Sequence, residues 1–589
     1  MKTISKEIID SILRKVYRIQ DPNHPDKIIT LDDTQIEAVR YALQGRSFNI
    51  VGAAGTGKST VYQAILLGLI YLDQKLQEID SNNSLLRTTR YKIVGKTGAY
   101  NYNNSIAVCS FTNKAVNNVR NKIRSHPILH DQFEYNITTL HNLLEFQPCM
   151  VWSEKQQRDV QQFLPTRTKF SPLTITHLFI DEGSMVGVGN QQIWDRVYDA
   201  LPEDLGGLLT KTQLIVAGDI NQLPPVGGKP LLAYSLRDLP TIELTTIHRQ
   251  ALDSPIISSA YKILKGEMIE SEINTETGDL VKVIKLDNKK KIPVQVIKNS
   301  LASETGIARW IRDGLYTPGE DIILCPFNKD VSKSGQILLG TKYINSVVAN
   351  YLHKIAKEHY AKLPDYKKRE PSEIDKINIV EVLTAWSALY IRVGERVLVD
   401  KQEGIITSIK RNKRYLGKIP ADPSPDLNYF GHKTRATDKY NYEELDIDSL
   451  LEVNLTEKDT GATSQQASHI TTILLDTGET VICSSTGDYQ ETVFSLAYSI
   501  SVHKAQGSEW NNVFILLHDC HKMFLYRELL YTAATRARHK VFWIAQEHVI
   551  RRGIENTRIQ GSSLKAKIAS FNEDTGKYLN APISWGKIR

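Results

Sequence analysis

Lys58 closes the run Gly52-Ala53-Ala54-Gly55-Thr56-Gly57-Lys58-Ser59-Thr60, whose spacing is G-x-x-x-x-G-K-[ST]. The preceding residues, Ser47 to Val51, have the apolar character of a buried strand, and the following ones have a helical pattern. Glycines let backbone amides approach an anion, a helix opening directly afterwards adds its positive end, and the lysine reaches the outer phosphates of a nucleoside triphosphate. Ser59 is placed to ligate magnesium. A glycine turn with an incidental lysine is the alternative, and the strand and helix on either side argue against it. Such a loop binds a nucleoside triphosphate; it is silent about the work done with it.

A second chemical pair follows in LFIDEGSM, where Asp181 and Glu182 end an apolar run. Two carboxylates at a strand terminus suit a cation better than a core. Asp181 would hold magnesium, and Glu182 would orient and deprotonate an attacking water. Alone, the pair could equally be a solvated strand end. After a phosphate loop the catalytic reading prevails.

The use of the energy is suggested by the order of further motifs. LDDTQIEAV with Gln35, the GAAGTGKST loop, SFTNKAV, TTLHNLL, IDEGS, VAGDINQLPPVG, IHRQ, SVHKAQGSEW and YTAATRAR succeed one another between residues 31 and 538. The series resembles the superfamily 1 DNA helicases of the RecD and Dda kind, the B branch. That resemblance implies an α/β fold: two RecA-like parallel-sheet P-loop domains with small β-rich insertions, a hairpin (1B) in the first and an SH3-like module (2B) in the second. It also implies ATP and Mg2+ as cofactors, single-stranded and forked duplex DNA as partners, and 5′ to 3′ travel.

Site residues follow from the same comparison, each with a physical rationale. Asp32-Asp-Thr-Gln35 is a capping-box-like helix start, with Gln35 free to reach back or outward; in the family the equivalent glutamine reads the adenine edge, and a plain cap is the alternative. Gln222 is an uncharged donor and acceptor able to touch both γ-phosphate and water, and Pro224-Pro225 stiffens the chain beyond it. Arg249 and Arg536 are candidate finger arginines, clamping charge that develops on the transferring phosphate. Gln250, Gly507 and Glu509 are placed beside the nucleotide by their motifs. The strand would be met by Ser110, Thr112, Asn113, Thr139, His141, Ser501 and His503, short hydroxyl, amide and imidazole donors that suit phosphate oxygens and tolerate any sequence, by the ammoniums of Lys114 and Lys504, and by Pro225. Ser501 stands where the family more often has threonine, a departure that keeps the hydroxyl. Trp152 and Phe163, in the segment from Phe146 to Lys169, are candidates for a strand-separating pin, with a minor core role as the alternative.

The elements that must position these groups are legible as patterns. Apolar runs at Ser47 to Val51, Ile106 to Ser110, His177 to Ile180 and Leu214 to Ala217 alternate with helical stretches, the signature of a parallel sheet with crossover helices. Similar runs at Ile322 to Cys325, Tyr498 to Val502, Val513 to Leu517 and Val541 to Ile544 predict a second sheet assembled from distant pieces. Between them RVLVD, GIITSIK, HITTILLD and ETVICSS alternate as a small β module. Its basic turn, Lys410 to Tyr415, could track phosphate or be a solvated turn. The division expected is 1–252 for the first domain, with its hairpin at about 145–171, and 253–589 for the second, with its insertion at about 385–492. Ser81 to Ser105 and Leu455 to Ser468 read as surface loops.

Length and composition agree with this. A chain of 589 residues exceeds a single core, and 41% hydrophobic against 24% charged residues places it among globular proteins. The net charge of +7 is too small to imply a polyanionic partner by itself. Five scattered cysteines without a C-x-x-C pair argue against zinc or a disulfide framework and fit a reducing compartment. Ile4, Ile8, Ile9, Ile12 and Leu13 line one face of an N-terminal docking helix that lacks a signal peptide's apolar core. AILLGLIYL, from Ala64, is far shorter than the roughly 20 residues of a bilayer span. The expectation is a cytoplasmic, monomeric or weakly associating enzyme of a bacterial or phage setting, without a membrane and with replication or recombination proteins as possible partners. An RNA-directed helicase and an ATP-driven remodelling protein that does not unwind remain the alternatives.

Overall fold

The computed structural model describes all residues except 1–3, 21–27, 80–87, 93–98, 104–105, 125, 127, 131–136, 154–157, 190–191, 203–210, 226–228, 247–252, 287–291, 333–334, 384–387, 400–401, 413–467, 477, 484–493, 562, 574–583 and 589. Its first sheet has six strands, in spatial order Thr241–Leu244, Phe48–Gly52, Gln213–Gly218, His177–Ile180, Ile106–Ser110 and Ile137–Thr139. Every neighbouring pair is parallel. The four central strands are buried along their whole length, which is why they read as continuous apolar runs. Phe48, Ile50, Phe179 and Ile215 face a core shared with helices Lys6–Val16, Asp33–Leu43 and Lys58–Ile79. Val51, Leu178, Ile180 and Val216 face the other way, towards helices Ile193–Ala200 and Leu231–Asp238.

Because the strands are parallel, their carboxyl ends share one edge, where ligands of open α/β sheets bind. The glycine loop, Asp181-Glu182 and the turn from Asp219 to Gln222 all leave the sheet there. The N-terminal helix is capped by Ser5 and buries Ile9, Ile12, Leu13 and Val16. The AILLGLIYL run lies inside the buried helix Lys58–Ile79. Among the described residues no helix is long and apolar enough to cross a membrane.

The second sheet orders Glu272–Ile273, Leu280–Lys285, Ala537–Ala545, Trp510–Leu516, Ile322–Cys325 and Ser499–Ser501, parallel except for its first, edge pair. Into it is set a five-stranded antiparallel sheet, Thr480–Cys483, His469–Leu475, Gln402–Arg411, Arg396–Val399 and Phe494–Leu496. Buried polar bonds fasten the two together: Trp510 Nε1 donates to Glu403 at 3.1 Å, and the Tyr498 hydroxyl to Glu395 at 2.6 Å.

A hairpin pairs Phe146–Ser153 with Arg158–Pro165. Another pairs Thr88–Lys92 with Ala99–Asn103, where the sequence reading expected only a surface loop. TTRYK and AYNYN alternate β-formers with polar residues, and the Asn and Ser around them mask that period. Residues 413–415 of the basic turn and 455–467 of the second expected loop lie outside the described residues. All five cysteines are free thiols.

Candidate nucleotide site and nucleic-acid interface

The glycine loop turns through Gly55 and Gly57, both at φ near +80°, where only glycine is unstrained. Thr56 Oγ1 donates to the Ala53 carbonyl at 2.9 Å, and a side chain at Gly52 would bring its Cβ within 2.3 Å of that hydroxyl. Lys58 Nζ lies on the Gly52 and Ala53 carbonyls, at 2.6 and 3.1 Å, so the ammonium is folded over the loop it serves. Ser59 Oγ accepts from Lys122 Nζ at 2.9 Å. Thr60 is buried in the first turn of the helix.

Asp181 and Glu182 are brought under this loop. Burial raises the Asp181 carboxyl above its ordinary range against the charges of Lys58 and Lys122. Tyr62 donates to its Oδ1 at 3.4 Å. Glu182 occupies the left-handed region at φ 55°, a conformation that costs a non-glycine residue of order 1 kcal/mol or more and that clusters at working sites. Burial first, and then the Asp181 charge, push its carboxyl up to about 7, with Arg536 and Lys58 opposing. A carboxylate held near neutrality is suited to accept a proton at working pH. Glu182 Oε2 and Gln222 Oε1 are both buried without a hydrogen-bond partner. Orphaned acceptors at the mouth of a phosphate loop fit a site built for a nucleotide and its water.

The turn carrying Gln222 is held from both sides. Asp219 Oδ1 accepts from the Asn221 amide at 2.9 Å, and the Asp219 carbonyl from the Gln222 amide at 3.1 Å. From helix Arg527–Ala534 of the second half, Tyr531 donates its hydroxyl to Asp219 Oδ2 at 2.5 Å and accepts there from the Ala54 amide at 3.1 Å. Thr532 Oγ1 accepts from the Leu223 amide at 3.1 Å, and Gln506 Nε2 donates to the Leu223 carbonyl at 2.7 Å. One tyrosine thus touches the glycine loop and the turn that carries Gln222 at once. Asp219 and Tyr531 lie inside GDINQ and YTAATRAR, and nothing in their spacing alone assigns either a role.

The remaining nucleotide candidates divide. Gln35 is fully buried and reaches back, its Oε1 accepting from the Asp32 amide at 3.1 Å while Asp32 accepts from the Gln35 amide. Arg536 is buried and donates to the Thr532 carbonyl at 3.0 Å and the Ser508 carbonyl at 3.3 Å, its charge felt by Glu182. Gly507, at φ 73°, abuts the first half so closely that a Cβ would lie 2.6 Å from Thr112 Oγ1. Glu509 is at the surface and pairs with Arg538. Arg249 and Gln250 lie outside the described residues.

Of the strand-contact candidates, Ser110, Thr112, Thr139 and Ser501 are nearly buried. Thr112, Thr139 and Ser501 accept from the amides of Ala115, Asn142 and Lys504, so each hydroxyl caps a turn and keeps its proton to donate. Asn113 opens helix Asn113–Arg124; the side chain of Lys114 lies outside the described ones. His141 is exposed, flanked by Phe111 and Phe146 with ring centroids 5.8 and 5.4 Å away. Burial and the Arg558 charge hold the His503 imidazole below its usual value, which makes it a neutral hydrogen-bonding group beside Tyr526. Pro225 and Lys504 are half-buried. Trp152 is 57% exposed, one residue pair from the last pair of the hairpin. Phe163 pairs with Pro148 nearer the base, and its side chain is outside the described ones.

Residues 35–228 match a family model described as an AAA domain, and residues 496–544 one described as a UvrD-like helicase C-terminal domain. The chain is 25% identical over 367 residues to the ATP-dependent RecD2 DNA helicase of Deinococcus radiodurans, covering 62% of this chain and 36% of that protein. It is 24% identical over 521 residues to the RecBCD enzyme subunit RecD of Buchnera aphidicola, covering 86% of this chain and 72% of that one. The chain therefore spans about a third of the first relative's length and most of the second's. Among solved structures it is similar to a Bacteroides Pif1 helicase in complex with ADP-AlF3 and ssDNA, at 16% identity and TM-score 0.36, over 87% of this chain and 92% of that one.

Proposed function

We propose, from a chain that joins an AAA domain to a UvrD-like helicase C-terminal domain and is related to RecD proteins, that this protein is an ATP-dependent DNA helicase moving 5′ to 3′ on single-stranded DNA. The observation that carries the reading is Tyr531, which joins the Ala54 amide of the phosphate loop to Asp219 beside Gln222. A hydrolysis site so bridged ties the state of the nucleotide to the spacing of two α/β halves. Spacing that alternates is what stepping along a strand requires.

In this reading residues 1–252 form the first motor domain with its hairpin at about 145–171. Residues 253–589 form the second, with the antiparallel insertion at about 385–492. The loop amides and Lys58 bind the ATP phosphates, Ser59 and Asp181 hold Mg2+, and Glu182 takes the proton of the attacking water. Bound Mg2+ supplies charge neutralisation at the β and γ phosphates. Arg536 stabilises charge developing on the transferred group, and Arg249 supplies the same from the first half. Gln35 meets the base, while Gln250, Gly507 and Glu509 complete the nucleotide's surroundings. Ser110, Thr112, Asn113, Lys114, Thr139, His141, Pro225, Ser501, His503 and Lys504 line the strand. The location proposed is the cytoplasm, with replication or recombination proteins as partners.

Two matched DNA forks test this, one with only a 5′ tail and one with only a 3′ tail, alongside ATP hydrolysis with and without single-stranded DNA. Opening of the 5′-tailed fork alone, with hydrolysis stimulated by DNA, is the expected result. Stimulation without opening of either fork would favour a remodelling ATPase, and opening of RNA duplexes alone an RNA helicase.

A further inference from the structure

The end of the chain does not stay with the half it leaves. After the second sheet, helix Leu564–Glu573 crosses to the first core and packs beside helix Leu231–Asp238, with Leu564 and Ile568 against the first-core cluster. Further on, Trp585 packs on Trp194 with ring centroids 6.1 Å apart and donates Nε1 to Asp238 at 2.8 Å. Lys587 Nζ donates to the Asp199 and Leu201 carbonyls at 3.0 and 3.1 Å, and the Thr212 amide donates to the Lys587 carbonyl at 3.0 Å. Ile588 is buried in the same cluster.

This returning arm delivers one ammonium to the working edge. Lys567 Nζ donates to Asn221 Oδ1. Asp219, Glu528 and Glu243 are its neighbouring carboxylates and Arg527 its neighbouring cation. Lysine is seldom drawn in from water unless paired, and here it is half-buried against the residue immediately before Gln222. Asn221 is held at its amide by Asp219 and at its side chain by Lys567, so both ends of that residue are fixed.

We propose that Lys567 is a positioning residue for ATP hydrolysis: the arm holds it on Asn221, and that contact fixes the direction in which Gln222 is presented to the γ-phosphate and water. The turn is then gripped both by helix Arg527–Ala534, through Tyr531 and Thr532, and by the arm, through Lys567. The inference rests on the hydrolysis site proposed above. It adds a residue outside every motif of the sequence.

The test uses the full chain as wild type, Lys567→Ala, Lys567→Arg and Trp585→Ala. Hydrogen–deuterium exchange at the 219–223 amides is read without nucleotide, and kcat and KM for ATP with single-stranded DNA. In Lys567→Ala, exchange at Asn221 and Gln222 should rise roughly tenfold, as expected for loss of a charge-assisted bond. Its kcat should fall by a similar factor with KM for ATP within about twofold, because a misdirected sensor weakens the transition state more than binding. Lys567→Arg should restore most of both, and Trp585→Ala should give an intermediate rise in exchange. Unchanged exchange in Lys567→Ala overturns the proposal, as does a loss in which KM and melting temperature move with kcat and arginine rescues nothing. If wild type fails to hydrolyse ATP with any nucleic acid, the proposed function falls, while the exchange difference still decides whether Lys567 orders the turn.

Discussion

At the scale of single residues, the proposed chemistry rests on a few atoms. Lys58→Ala removes the only side-chain cation of the glycine loop and should lower hydrolysis by at least roughly a hundredfold while DNA binding persists, since phosphate charge is stabilised mainly by such fixed groups. Glu182→Gln has two consequences of opposite sign. It should abolish turnover while ATP still binds, which a nucleotide-binding assay beside a hydrolysis assay will resolve. It should also stabilise the nucleotide-free protein. The Glu182 carboxyl is raised from 4.5 to about 7 in the folded state, so ionising it costs the fold more than the unfolded chain. That cost is fully present above about pH 7 and gone near pH 4.5. A neutral glutamine escapes it, and the variant should gain about 3 kcal/mol at pH 8.5 and about 1 kcal/mol at pH 5, order-of-magnitude figures that paired thermal melts at the two pH values will check. Lys58, Asp181 and Glu182 are candidates that the sequence offers through a fixed local spacing, and Gln222 is one that it offers through the resemblance of its motif. Tyr531, Lys122 and Lys567 could not be found in either way, because what makes them matter is a partner hundreds or tens of positions away: Ala54, Ser59 and Asn221.

Secondary-structure elements were legible in proportion to their burial. The central strands of the first sheet are apolar along their whole length and were readable within a residue or two. Thr241–Leu244, Ile137–Thr139 and Leu280–Lys285 went unseen, being short or carrying charges on the side turned to water, as in LVKVIK. The surrounding Asn and Ser hid the pairing of Thr88–Lys92 with Ala99–Asn103. The hairpin of residues 146–165 makes a sharper prediction than the sequence allowed, because Trp152 projects near its end whereas Phe163 pairs close to its base. Trp152→Ala should lower unwinding severalfold and leave translocation on single strands nearly intact, the loss of one stacked base contact being about 1 to 3 kcal/mol. Equal losses in both assays would remove the pin role from this residue.

For the whole molecule, one contact between the two α/β halves has no slack. Gly507 sits at φ 73° with space for no Cβ, 2.6 Å being all that separates the position from Thr112 Oγ1. Gly507→Ala should therefore wedge the halves apart and cut DNA-stimulated hydrolysis by tenfold or more, while each half keeps its own fold. Circular dichroism with a turnover assay distinguishes that outcome from unfolding.

The hydroxyl of Tyr531 already occupies the Ala54 amide that a phosphate would use. Nucleotide binding is then an exchange reaction rather than a simple addition: the ligand must displace an internal competitor present at the high effective concentration of a group in the same chain. A measured dissociation constant for ATP reports the difference between two occupants of one amide. Tyr531→Phe, which keeps the ring and removes the competitor, should bind ATP several times more tightly than wild type even as its hydrolysis responds less to DNA.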